Sequence, residues 1–214
     1  VSSRNGAEAD SATWDPRFGG APLSVHDHVC AFFRGDDERD RLLLPFLTDG
    51  LRAGETCLCL TAEGQSAQLV QRVADSGTDV GRLAAVEPSE THLLSGSFQS
   101  DRMLELLDAW SVRVFAGDDD RRARIAGDMT WIRPLIRPSF LAELLRYEAE
   151  VTTWLAGHSL IAVCLYEMGS LGGDALMALT KCHSKVWLDG QVIGNPYRYA
   201  PEPMPQRGRA ARER

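Results

Sequence analysis

No stretch of the 214 residues approaches the run of roughly 20 apolar residues that spans a bilayer. The N-terminus is polar and has no signal-peptide core, so the chain is expected in the cytoplasm. No Cys-x-x-Cys occurs, and the five cysteines are an odd number. Cys30, Cys57, Cys59 and Cys164 lie in apolar, strand-like runs. They read as reduced, buried thiols rather than a disulfide framework. There is no basic excess: the net charge of -7 favours solubility and argues against nucleic acid as the main partner. No internal repeat is visible. No Gly-x-x-x-x-Gly-Lys-Ser/Thr, Gly-x-Gly-x-x-Gly or Gly-x-Ser-x-Gly occurs, which argues against ATP hydrolysis, ordinary dinucleotide binding and a serine-elbow hydrolase.

What is present is an ordinary globular composition, 44% apolar and 25% charged, in a chain long enough for one well-buried domain. Residues 1–22 are rich in Ser, Gly, Ala and charge, without periodicity, and read as a flexible lead-in. From there, strands alternate with helices. The strands are His28–Phe33, Glu55–Thr61, Leu83–Val86, Arg124–Asp128 and Leu160–Tyr166. The helices follow Asp36 or Asp37, Gly64, Asp101, Ser139 and Gly173, with apolar residues at helical spacing. His92–Gln99 reads as a loop. Asp189-Gly190, between Lys185–Leu188 and Gln191–Ile193, predicts a terminal hairpin. The tail over 202–214 is Arg-rich and reads as disordered. The pattern predicts a three-layer α/β domain over 23–201, with a mainly parallel sheet flanked by helices and an antiparallel hairpin at one edge.

Ligands of such sheets bind beyond the carboxyl ends of the strands. Two places qualify. The turn Ala62-Glu63-Gly64-Gln65-Ser66 has one glycine, no lysine and an acid where phosphate would sit. A helix N-terminus at Gly64 still suits an anion or a polar ligand. The strand Arg124–Asp128 ends on a carboxylate followed by Trp131, and a later helix carries Tyr147 and Glu148. If Asp128 and Glu148 share a pocket, like charge and burial raise the pKa of one of them. Otherwise Asp128 caps a turn, or the acids pair with Arg124 or Arg146.

Several stretches together resemble one family. They are His28–Phe33, Pro45–Gly54 with Glu55, Gly96-Ser97-Phe98, Arg124–Trp131, Leu144–Glu148, Cys164–Glu167, His183 and Asn195-Pro196-Tyr197. Their order and spacing are similar to the MEDS domain, the sensory domain of methanogen and methylotroph regulators of the DcmR type. The resemblance covers about residues 24–201. It implies a RecA/KaiC-like core that has lost its nucleotide loop, in agreement with the degenerate turn at Glu63-Gly64. It implies small-molecule sensing, with hydrocarbon derivatives as ligands, and output to a histidine kinase, an anti-sigma factor or a transcription regulator. No such module is visible, so the chain reads as a stand-alone sensory domain. Two positions depart from the family pattern: Asp128 stands where glutamate is usual, and Ser184 where proline is usual.

The candidate ligand-binding residues are therefore His28, Glu63, Asp128, Trp131, Tyr147, Glu148, Tyr166 and His183. Trp131, Tyr147 and Tyr166 suit an aromatic wall for an apolar ligand. His28 and Cys30 share one strand face, and Cys182 and His183 are adjacent. These four donors suit zinc if the regions meet. Without supporting motif spacing, no metal is assigned, and hydrogen-bonding roles for the histidines are preferred. No cofactor is expected and no catalytic residue is assigned. A non-catalytic sensor is the leading reading. A protein–protein interaction scaffold on a degenerate ATPase core is the alternative, with a metal-dependent enzyme behind it. A homodimer is compatible with either of the first two.

Overall fold

The computed structural model describes residues 14–198, apart from 92, 94–96, 119 and 197. Thus Gly96, Tyr197 and the Arg-rich tail lie outside the described residues. Within the stretch 1–22, expected as a flexible lead-in, residues 17–22 form a strand pair. Arg17–Phe18 (β1) pairs antiparallel with Ala21–Pro22 (β2), and Phe18 is buried against Phe46 and Trp187.

The main sheet has seven strands in the order β5-β4-β6-β7-β3-β8-β9. These are β3 (His28–Phe33), β4 (Thr56–Leu60), β5 (Leu83–Val86), β6 (Ala123–Asp128), β7 (Leu160–Glu167), β8 (Lys185–Leu188) and β9 (Gln191–Gly194). All pairings are parallel except β8 with β9, the expected edge hairpin. β3 and β6 are buried at every residue, as strands covered on both faces must be.

Among the described residues, five helices complete the layers: α1 (Gly35–Arg52), α2 (Ser66–Asp75), α3 (Ser100–Phe115), α4 (Pro138–Leu155) and α5 (Gly173–Cys182). Strand alternation divides the core in two. Val29, Ala31, Cys57, Cys59 and Ala126 pack toward α1 and α2. Cys30, Phe32, Leu58, Ile125, Cys164 and Tyr166 pack toward α3 and α4.

The sequence points to the turn after β4 as the position a phosphate would take, and the sheet order moves that position. The chain leaves β3 through α1 toward β4 on one side, while β8 adds on the other. The topological switch point, where phosphate loops form, is therefore at the end of β3. The turn there is Arg34-Gly35-Asp36-Asp37-Glu38. Three acids occupy the first turn of α1, and Glu38 accepts the Arg34 N–H at 2.6 Å. The helix dipole is thus satisfied by the chain's own carboxylates, which repel phosphate.

Candidate functional site

The eight expected residues fall into four places rather than one. Asp128 and Glu148 do not share a pocket. Asp128 follows Arg124 and Ala126 on the α1/α2 side of β6, where its carboxylate lies 3.3 Å from Arg39 of α1. It also accepts the Thr130 N–H at 3.0 Å and so starts the turn over Met129–Leu135. Burial raises its pKa, against the opposing pull of Thr130 and Arg39. Glu148 of α4 lies on the other side of the sheet, with Cys30, Cys164 and Tyr166.

Glu63 is exposed, and its carboxylate accepts the Ser89 N–H and hydroxyl. The anion position at the start of α2 is filled from within. Glu87 accepts the Gly64 and Ser66 N–H groups at 2.9 Å and the Ser66 hydroxyl at 2.6 Å. These bonds hold the Glu87 carboxyl below its ordinary pKa. Trp131 and Tyr147 form an aromatic cluster around Phe98, at centroid distances of 5.5 and 5.8 Å, with Phe140 at 5.6 Å.

His28, Glu148, Tyr166 and His183 do come together. His28 opens β3 at the centre of the sheet. Tyr166 is on the adjoining β7, and His183 caps the end of α5. Glu148 projects from α4 between them. The two imidazole centroids are 4.0 Å apart. Both His Nε2 atoms approach one carboxylate oxygen, Glu148 Oε2, at 3.3 and 3.2 Å. The Tyr166 hydroxyl donates to the other, Oε1. His28, Glu148, Tyr166 and His183 are each 0% exposed.

Cys164 belongs to this group and was not among the candidates. Its Sγ is 3.4 Å from His28 Nε2 and 3.6 Å from Glu148 Oε2. The signal was available: Cys164 and Tyr166 sit two apart on one strand, so they share a face. Of the four sulfur and nitrogen donors considered for zinc, Cys30 and Cys182 stand outside the cluster. Cys182 Sγ is turned toward the Leu145 and Ala178 carbonyls.

A shell of local bonds fixes the histidines. His183 Nδ1 lies 2.8 Å from the Leu179 carbonyl, one helical turn back. Thr152, four residues after Glu148 on the same face of α4, is 2.7 Å from His28 Nδ1 and 2.7 Å from the Cys182 carbonyl. Ser184, which stands where proline is usual in the family pattern, accepts the His28 N–H at 2.9 Å and donates to the His28 carbonyl at 3.0 Å. It clamps the two histidine-bearing segments side by side. The Asn195 amide reaches the Thr180 and His183 carbonyls at 2.7 and 3.1 Å.

The electrostatics are unusual for an apolar core. Burial, with His183 alongside, lowers the His28 pKa to about 4, and Glu148 opposes this only in part. Burial pushes the Glu148 carboxyl up, but the two histidines outweigh it and leave it below its ordinary value. Burial and the Glu148 charge push the Cys164 thiol and Tyr166 phenol up, so both keep their protons. Among the described residues, the polar side chains against this buried carboxylate are two histidines, a thiol and a phenol, with no lysine or arginine. Such a group is costly unless something is gained by it, and perturbed buried titratable groups concentrate at functional sites.

Comparison with known proteins agrees with this architecture. Residues 27–184 match the family described as MEDS, the methanogen/methylotroph, DcmR sensory domain. The transcriptional repressor DcmR of Methylorubrum extorquens is 23% identical over 171 residues, covering 78% of this chain and 62% of the repressor. The chain therefore spans under two thirds of that relative's length. Two solved structures from Pyrococcus horikoshii share the fold. One is an uncharacterised protein in complex with an unknown peptide, at TM-score 0.58 and 13% identity over 77% of both chains. The other is a KaiC-like protein at TM-score 0.54 and 16% identity, covering 79% of this chain and 73% of that one. With the match running from β3 to the residue after His183, and so including every member of the buried cluster, the chain belongs to the MEDS family of sensory domains.

Proposed function

We propose that residues 23–201 form a non-catalytic, cytoplasmic sensory domain that binds a small molecule at the His28–Glu148–Tyr166–His183 cluster and relays occupancy to a separate signalling protein. One observation carries this reading: Glu148 is fully buried, charged, and surrounded by polar groups that converge on it from β3, β7 and α5. A ligand hydroxyl, amine or carbonyl would bond to these groups. Its apolar part would meet Phe32, 6.3 Å from Tyr166 between centroids, and the aromatic cluster of Phe98, Trp131 and Tyr147. Hydrocarbon derivatives with one polar group fit that chemistry.

A signal requires two conformations with different ligand affinity. The cluster is borne by β3, β7, α4 and the end of α5, and α4 packs on α5 and on β3 and β7. Displacing Glu148 shifts α4 relative to β3 and β7, and a partner kinase, anti-sigma factor or transcription regulator would read that shift. The acidic first turn of α1 supports a non-catalytic role, because it disfavours the nucleotide phosphate.

The test is thermal melting with short-chain alcohols, amines and haloalkanes. A saturable rise in Tm is expected for at least one class. It should vanish in Glu148→Gln and persist in Glu63→Gln. No saturable rise with any class overturns the reading.

A further inference from the structure

Hydrogen placement in the buried cluster leads past organic ligand binding. His183 Nδ1 faces the Leu179 carbonyl, which only accepts, so Nδ1 carries the proton. Thr152 has one hydroxyl proton, and carbonyl oxygens of Cys182 and Glu148 stand at 2.7 and 3.2 Å to take it. Toward His28 it therefore accepts, and His28 Nδ1 also carries its proton. In its neutral form each ring then presents an Nε2 lone pair beside Glu148 Oε2, itself an acceptor. His183 Nε2 is buried and has no hydrogen-bond partner, although it stands 3.2 Å from that oxygen. Two imidazole lone pairs, a carboxylate oxygen and a sulfur thus point at one spot.

From this convergence we infer that His28 Nε2, His183 Nε2, Glu148 Oε2 and Cys164 Sγ form a binding site for a divalent transition-metal ion of the zinc class.

The spacing fits. Tetrahedral zinc with bonds of about 2.0–2.3 Å sets its ligand atoms roughly 3.3–3.7 Å apart. Glu148 Oε2 lies 3.3 Å from His28 Nε2, 3.2 Å from His183 Nε2 and 3.6 Å from Cys164 Sγ, and His28 Nε2 lies 3.4 Å from that sulfur. All four atoms lie within 4.8 Å of one another. Two nitrogens, one sulfur and one oxygen favour zinc, cobalt or a similar ion over magnesium or calcium. The outer partners are those of a metal centre: each histidine has its far nitrogen bonded, and Tyr166 holds the carboxylate oxygen that does not face the ion. On binding, the Cys164 thiol loses its proton to solvent. The dication then meets one thiolate and one carboxylate, and the buried charge sums to zero.

The inference deepens the sensory reading of the same cluster, and its readouts are separate from organic-ligand melting. The full chain is stripped with chelator and titrated with Co²⁺, then with Zn²⁺ in competition, with elemental analysis alongside. One ion per chain is expected, with a thiolate-to-cobalt charge-transfer band in the near ultraviolet that Zn²⁺ abolishes. Cys164→Ser should lose the band, and Cys30→Ser should keep it. Thr152→Val leaves all four ligands in place and should weaken affinity about 10–100-fold. A wild-type chain, folded by circular dichroism, that takes up no Co²⁺ overturns the site, even if organic-ligand melting still depends on Glu148. A band that survives Cys164→Ser overturns this ligand set. Stoichiometric metal with no organic-ligand response establishes the site and removes the small-molecule reading instead.

Discussion

Two buried carboxylates lie on opposite faces of the same sheet, and they are built on different principles. Glu55, on the α1/α2 side, is held by Arg124 in a two-pronged ion pair at 2.6 and 2.8 Å. Arg124 also donates to the Phe46 carbonyl at 3.0 Å, and Trp14 donates to Glu55 at 2.8 Å. The charge is balanced by a permanent cation, and the remaining polar atoms are occupied. Gly50 makes room for it: a Cβ there would lie 2.8 Å from Arg124 Cδ and Nε. Glu148, on the other face, has only switchable partners, two histidines, a thiol and a phenol. The first arrangement is complete without any ligand. The second rests on groups that can gain or lose protons, and it is there that the proposed ligand would bind.

The contrast can be broken from the Glu55 side first, where the largest effect is expected. Arg124→Met leaves Glu55 buried and unpaired, which should cost about 3–5 kcal/mol in urea unfolding. Adding Glu55→Leu should recover most of that loss, since a buried pair replaced by apolar residues is often neutral. On the Glu148 side, Tyr166→Phe removes one hydrogen bond to a charged group. It should cost about 1.5–3 kcal/mol by the same measurement. Ser184→Ala removes the clamp on the His28 backbone and should cost about 1 kcal/mol. It should also loosen the histidine pair, seen as broadened imidazole NMR signals.

The smallest effect is expected at the surface, where Glu143 accepts from Arg146 and from Ser100. Arg146 holds the Glu143 carboxyl down, from its ordinary 4.5 to about 2. A depressed folded-state pKa gives stability that is present above about 4.5 and lost as pH falls toward 2. Partial exposure and screening keep that loss below about 1 kcal/mol. Glu143→Gln should flatten that part of the stability–pH curve.

The layered fold was legible because it rests on periodicity. The apolar runs at His28–Phe33 and Leu160–Tyr166 and the Asp189-Gly190 turn are local signals, and each forms the element it predicts. The site was legible in part. His28, Glu148, Tyr166 and His183 were identified, and the sheet gathers them. Asp128 was grouped with Glu148 because both are acids near one sheet edge. Which face a strand residue takes depends on the register of the whole sheet, which no local pattern states. Strand order is likewise non-local, so the switch-point turn was sought one crossover too late. Cys164 read as core because a thiol in an apolar run is usually that. Its neighbours His28 and Glu148 are 136 and 16 residues away in the chain. Ser184 is the opposite case: a departure from the family pattern proves to be a side-chain clamp.

The most direct test of the contrast between the two carboxylates is native mass spectrometry of three folded proteins, each beside a denatured control. These are the wild-type chain, Glu148→Gln, and the double variant Arg124→Met with Glu55→Leu. A mass above that of the bare chain, organic or metallic, should be held by the wild type and by the double variant and be missing from Glu148→Gln. Retention by Glu148→Gln, loss confined to the double variant, or a bare wild-type chain would contradict the assignment of function to the Glu148 face.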